Sequence, residues 1–386
     1  MLARDSCLIH SPPSLSSVWV SMRFHLATHR VLDFESIRRD SEARKSPRSF
    51  MWMLTERLGG TLHQPEGNRI TPFDRVRAKV VGNPEHWALA RALAPRLGCD
   101  DLIYCVGEEV GFPLAAVCGG RRDGPKVAVF INNIDRPRAR AALRLFQLRD
   151  RIALFLTNIS HQADFVRDYL QLPDSRLFLV EDQTDIRFFI PGPPAREKVR
   201  QIIASVGLEQ RDYRTLAAAT ADLEVDVRIS GFSLDAAAQD RAFPEAMPAN
   251  MTRRFYAWSD LVQLYQEADV VAITLFPCNY SAGISTLMEA TACGRPVVAS
   301  RTEGLSDYLN TPGTVSVVEP GDPAALRRAI VELLEDRSKA DALARNGHAM
   351  ARRRFDSEQL VERMAERFAG LHEGRQLVGQ DAVISS

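Results

Sequence analysis

Apolar positions in this chain fall into short unbroken runs, separated by longer segments in which they recur every three or four residues. The runs at 101–106, 126–131, 151–157, 199–206, 225–230, 268–276 and 295–300 read as parallel strands buried on both faces. The runs at 23–32, 61–64 and 176–181 read as further strands. The segments 49–58, 83–97, 138–148, 160–170, 214–220, 261–267, 286–293, 324–335, 339–354 and 357–371 read as helices. Asn83 before Pro84 supplies an N-cap and a first-turn proline, Ser160 reads as another N-cap, and Gly59-Gly60 and Gly294 read as helix stops. The polar, basic stretch 33–49 and the Pro/Gly-rich stretch 65–82 carry no clear period, and 107–113 reads as a strand-to-helix turn. Buried strands alternating with helices of ten to fifteen residues predict an α/β chain with doubly wound parallel sheets.

The alternation breaks once, at 185–194, where Pro191, Gly192, Pro193 and Pro194 exclude both helix and central strand. It then restarts. Two Rossmann-like domains follow, with a cleft between the carboxyl ends of their sheets. The expected division is a disordered leader over 1–21, with Met22 a candidate start, and an N-terminal domain over 22–190. The second domain covers 191–356, a helix at 357–373 packs back on the first domain, and a disordered tail covers 374–386.

Composition narrows the function classes. The 386 residues contain 49 Lys+Arg and 49 Asp+Glu, a balance that gives no general attraction to nucleic acid. The six cysteines show no CxxC spacing, and neither a paired DxD nor a zinc pattern is present, so no metal site and no cofactor are expected. No apolar run approaches the length of a membrane-spanning helix, and a cytoplasmic location is expected. Oligomeric state is not legible.

The candidate chemistry centres on 268–309. A strand ends at Pro277, Ser281-Ala282-Gly283-Ile284-Ser285 makes a turn, and Thr286 opens a helix. A glycine turn feeding a helix N-terminus offers backbone N–H groups and the positive end of the helix dipole, which suits a phosphate. Glu289 lies one turn along, on the face of Ser285, and the Cβ tilt directs its carboxylate back toward that end, where it suits a ribose hydroxyl. In the first half, Glu108 and Glu109 follow a strand and read either as acceptor ligands or a base, or as charges complementing a helix N-terminus. Asn133 and Asp135 sit at a strand's carboxyl end. Arg136, Arg138, Arg140 and Arg144 read either as a solvated helix face or as a contact for a phosphorylated acceptor or a peripheral membrane surface.

Four segments in order, Asp185…Phe189-Ile190-Pro191, the 205–211 stretch SVGLEQR, the 268–309 stretch and Glu319-Pro320-Gly321-Asp322…Leu326…Ile330…Leu333-Leu334, make the chain resemble the two-domain GT-B glycosyltransferases, in particular glycosyltransferase family 4. The resemblance implies two Rossmann domains about a cleft. It also implies a nucleotide-diphosphate sugar donor (UDP-, GDP- or ADP-sugar) and metal-independent transfer of a hexose, with retention, to an acceptor that is not identified. Glu289 matches the second Glu of the family's E-x7-E motif, which holds the ribose. Gly207, Gly283, Ile284, Ser285 and Thr286 would surround the diphosphate, with Arg211 as its cation and Arg214 as the alternative in a compressed loop. The first Glu of E-x7-E is replaced by Ser281, which, like Asn279, can offer a sugar hydroxyl a hydrogen bond in its place. The first domain lacks the Gly-Gly turn after its first strand, and Asn132 or Asn133 stands where many relatives carry a histidine. Two other readings remain open: a nucleotide-sugar-binding relative with weakened or regulatory activity, and a two-Rossmann sugar-nucleotide epimerase or phosphorylase.

Overall fold

The computed structural model describes residues 22–193, 198–232 and 240–374; the expected leader, Pro194 of the expected linker and residues 375–386 of the expected tail lie outside the described residues. The first sheet contains β1 (Arg23–Ala27), β2 (Thr61–His63), β3 (Asp101–Cys105), β4 (Lys126–Phe130), β5 (Leu154–Thr157) and β6 (Leu177–Leu179) in the order β2-β1-β3-β4-β5-β6. The second contains β7 (Gln201–Val206), β8 (Val225–Ser230), β9 (Met251–Arg253), β10 (Val270–Ile273), β11 (Val297–Ser300) and β12 (Ser316–Val318) in the order β12-β11-β10-β7-β8-β9. Every pairing between them is parallel, for example Arg23 beside Asp101 and Ile203 beside Val270. Central strands covered on both faces are largely apolar, and β3, β5, β10 and β11 are buried at every position. The chain order reverses between β1 and β3 in one sheet and between β7 and β10 in the other. In an open α/β sheet those reversals mark where ligands bind.

Some elements escape the periodicity. Residues 72–78, expected as irregular, form the helix Pro72–Ala78, started by a capping box in which the Thr71 hydroxyl accepts from Asp74 N and Asp74 accepts from Thr71 N. The polar helix Phe34–Glu42 is capped by Asp33, and the helix Glu108–Cys118 begins directly after Gly107 with Pro113 inside it. The three-residue strands β9 and β12 are too short to show a period. Ser160 is not an N-cap: Ile159 holds that position, and both Ser160 N (2.8 Å) and the Ser160 hydroxyl donate to Asp307 of the second half.

The helix Ser357–His372 leaves the second sheet and places Leu360, Val361, Met364 and Phe368 in the core under the first, where Phe368 packs on Phe24 and Tyr104. The crossing segment is pinned there. Arg48 donates to both carboxylate oxygens of Asp185 and also to Glu358, and Thr184 bridges to Asp356. Burial pushes the Asp185 carboxyl up, but the Arg48 hydrogen bonds outweigh it and hold the group below the usual carboxylate range. Among the described residues no helix is long and apolar enough to cross a membrane.

Candidate active site

The reversal between β7 and β10 brings two glycine turns together. Gly207, at φ +100°, follows β7, and Gly283, at φ +89°, caps the helix Ile284–Ala292 beyond β10. Only glycine adopts such angles without cost. Arg211 lies between them. A Cβ built on Gly207 would stand 2.4 Å from Arg211 Nη2, and one on Gly283 would stand 3.5 Å from Nη1. The guanidinium is buried, and it donates from Nε to the Val206 carbonyl (2.8 Å), from Nη1 to the Glu209 carbonyl (3.2 Å) and from Nη2 to the Thr286 hydroxyl (2.9 Å). All three acceptors are uncharged, so these hydrogen bonds hold the guanidinium in place without themselves neutralising it. The Thr286 hydroxyl donates in turn to the Val206 carbonyl, 3.1 Å away, and ties the helix to the end of β7.

No side chain caps the helix beginning at Ile284, so the N–H groups of Ile284, Ser285 and Thr286 point outward beside Arg211. Glu289, on the next turn, is half-buried and accepts a hydrogen bond from the Tyr265 hydroxyl at 2.7 Å. Burial pushes its carboxyl up to about 7, with Tyr265 and the Arg211 charge pulling the other way. Arg214, the alternative cation, is exposed, and its Nε donates to the Phe243 carbonyl at 2.7 Å.

Across from these residues a cavity of about 440 Å³ opens between the two halves, lined by Glu108, Asn133 and Arg136 on one side and Glu209, Tyr280 and Ser281 on the other. Ser281 therefore faces the acceptor-side candidates. Glu108 is buried, and one carboxylate oxygen accepts from both Asn132 N and Asn133 N at 2.8 Å, which fixes the loop after β4 at the cleft. Burial and the Glu109 charge push its carboxyl up. Asp135 accepts from Asn279 Nδ2 at 2.9 Å across the cleft, so the amide read as a sugar partner is tied to the opposite half.

Several participants were not visible in the sequence. Tyr265 sits on the helix Trp258–Glu267, 24 residues before its partner Glu289, with no local signal linking them. Beside Gly207, whose N–H donates to Ser230 O at the end of β8, Phe232 and Phe255 are exposed aromatics, and Arg253 lies over the rings of Phe232 (4.9 Å) and Phe243 (4.1 Å). Among the described residues no group of three or more His, Cys, Asp or Glu side chains is arranged to hold a metal ion.

Residues 214–336 match the family model described as glycosyl transferases group 1. The chain is 39% identical over 93 residues to a D-inositol 3-phosphate glycosyltransferase of Salinispora tropica, a match covering 24% of this chain and 19% of that protein. It is 29% identical over 273 residues to the protein of that name from Mycolicibacterium vanbaalenii, covering 58% of this chain and 59% of that one. The chain thus spans less than two thirds of these relatives' length. Among solved structures it is similar to Anabaena Alr3699/HepE in complex with UDP-glucose, at 18% identity and a TM-score of 0.63, covering 90% of this chain and 99% of that one. The paired Rossmann-like sheets thus share the two-domain fold of that solved structure, and residues 214–336 of the second half are similar to glycosyl transferases group 1.

Proposed function

We propose that this protein transfers a hexose from a nucleotide-diphosphate sugar to an acceptor hydroxyl in the interdomain cleft, with retention at the anomeric carbon and without a metal ion. The observation that carries this reading is the convergence of the buried Arg211, hydrogen-bonded to three neutral acceptors, with the uncapped N-terminus at Ile284. The leaving nucleoside diphosphate gains negative charge in the transition state, and a fixed cation and helix dipole stabilise that charge without reorganising. Glu289 would accept hydrogen bonds from the ribose hydroxyls, and Phe232 and Phe255 offer faces on which a nucleobase can stack. The Glu108-braced loop at Asn132 and Asn133 would present the acceptor toward Ser281. The relatives' names, and the UDP-glucose bound by the similar Anabaena protein, support a nucleotide-sugar donor.

The test is a thermal-shift panel of UDP-, GDP-, ADP- and TDP-sugars, repeated on Glu289→Ala. One nucleotide family should raise the melting temperature of wild type and lose most of that effect in the variant; no response to any of them sinks the reading. Ser281 favours a second reading, a nucleotide-sugar binder with little turnover, because a neutral hydroxyl stands where the family's pattern has a carboxylate near the donor sugar. Mass analysis of nucleotide released from the stabilising donor separates the two.

A further inference from the structure

One face of the first half carries apolar side chains in solvent. On the helix Pro72–Ala78, Phe73 is 59% exposed and Val76 58% exposed, one turn apart and therefore on one side. Leu145, the last residue of the helix Pro137–Leu145, is 64% exposed. Contacts join the two helices into one patch. Arg77 lies over the rings of Phe73 (4.0 Å) and Trp87 (5.1 Å), Trp87 packs at 5.0 Å on Phe146 beside Leu145, and Arg138 Nη2 donates to the Lys79 carbonyl at 2.9 Å.

The charge on the segments that carry this patch is one-sided although the chain as a whole is balanced. Segments 69–79 and 136–145 contain eight Lys and Arg residues and one acid, Asp74. Asp74 is buried, and its carboxylate is taken by Thr71 and Arg91. Arg140 and Arg144 fold onto Phe165 and Tyr169, while Arg75, Lys79 and Arg138 stay exposed beside the apolar tips.

Apolar tips inside a collar of cations match a surface that is anionic outside and apolar just beneath. An acidic protein face would leave Phe73 and Val76 unmatched, and an apolar one would leave the cations unpaired. We infer that this face docks peripherally on an anionic lipid bilayer, with Phe73, Val76 and Leu145 entering the headgroup–acyl boundary and Arg75, Lys79 and Arg138 against lipid phosphates. The neighbouring Val80, Asn83, Arg136 and Arg138 line the interdomain cavity, so docking sets the rim of the cleft on the membrane. Resting on the transferase reading, this makes the acceptor a lipid-anchored molecule whose polar head enters the cleft.

The test is flotation of the full chain with POPC vesicles containing about one third POPG, and with POPC alone, at about 0.1 M and about 0.5 M salt. Binding is expected to the anionic vesicles at low salt only. It should fall about tenfold or more in Phe73→Ser/Val76→Ser and in Arg75→Glu/Lys79→Glu, with melting temperature and nucleotide-induced shift unchanged. Absence of binding to the anionic vesicles overturns the proposal, as does wild-type binding by both double variants. A dimer that Phe73→Ser/Val76→Ser dissociates, without vesicle binding, assigns the face to a second copy and also overturns it. If vesicles bind as expected but no nucleotide shifts the melting temperature, the docking stands and the donor reading fails.

Discussion

Arg211 occupies the space that a side chain at position 207 would need: a Cβ on Gly207 would lie 2.4 Å from its Nη2. The backbone there is at φ +100°, so the glycine serves both the turn and the placement of the cation. Gly207→Ala should therefore cost about 1–3 kcal/mol of stability and also displace the guanidinium. The check is a thermal melt with and without the stabilising nucleotide sugar. The melting temperature should drop, and the ligand-induced shift should shrink further than that drop explains.

Glu289, the proposed ribose ligand, works against the fold. Its carboxyl is pushed up to about 7 from an ordinary 4.5, so ionising it in the folded protein is unfavourable. The cost is absent below pH 4.5, grows between 4.5 and 7 and is complete above 7. Glu289→Gln should accordingly stabilise the unliganded protein at pH 8 by about 1–3 kcal/mol, allowing for the group's partial exposure, and have little effect near pH 4.5. Urea unfolding at the two pH values measures this. A gain that is equal at both would refute the assignment.

Donor binding should follow the same titration in the opposite sense. In the proposed donor site, ribose hydroxyls would donate to the ionised carboxylate, so affinity should be full above pH 7 and decline below it, by up to about tenfold for each further unit. Calorimetric titration of the nucleotide sugar between pH 5.5 and 8.5 reads the midpoint. The profile should flatten in Glu289→Gln.

In the proposed site, Tyr265 would act on the donor through Glu289. Its hydroxyl, 2.7 Å from the carboxylate, favours the ionised form. Tyr265→Phe should shift the midpoint of the affinity profile upward and weaken donor binding near neutrality by about 1 kcal/mol, with recovery at higher pH. A uniform loss across pH would instead mark a packing defect.

Arg48 supports the crossing segment between the two halves. Removing it in Arg48→Met leaves Asp185 buried with one fewer charged partner, at a cost of about 3 kcal/mol near neutral pH. Because the Asp185 carboxyl is held below the usual range, its contribution is present above that range and is lost as pH falls through the lowered value. The variant's deficit should therefore narrow below about pH 4. Chemical denaturation at neutral and acidic pH tests the sign.

What depends on local chemistry could be read from the order of residues alone. Strand and helix alternation follows from the spacing of apolar residues, and the break at Pro191-Gly192-Pro193 follows from proline's fixed φ and missing N–H. The turns at Gly207 and Gly283 were legible because only glycine tolerates their positive φ. Helices whose start is written in side-chain caps rather than in an apolar period, such as Pro72–Ala78, were not. Which distant groups meet depends on the packing of the whole chain. That packing set Arg211 rather than Arg214 between the two glycine turns, placed Tyr265 on Glu289, turned Ser160 toward Asp307, and closed Asn279 onto Asp135. Those pairings depend on the order of strands in each sheet and on how the two sheets face each other, and no local period encodes either.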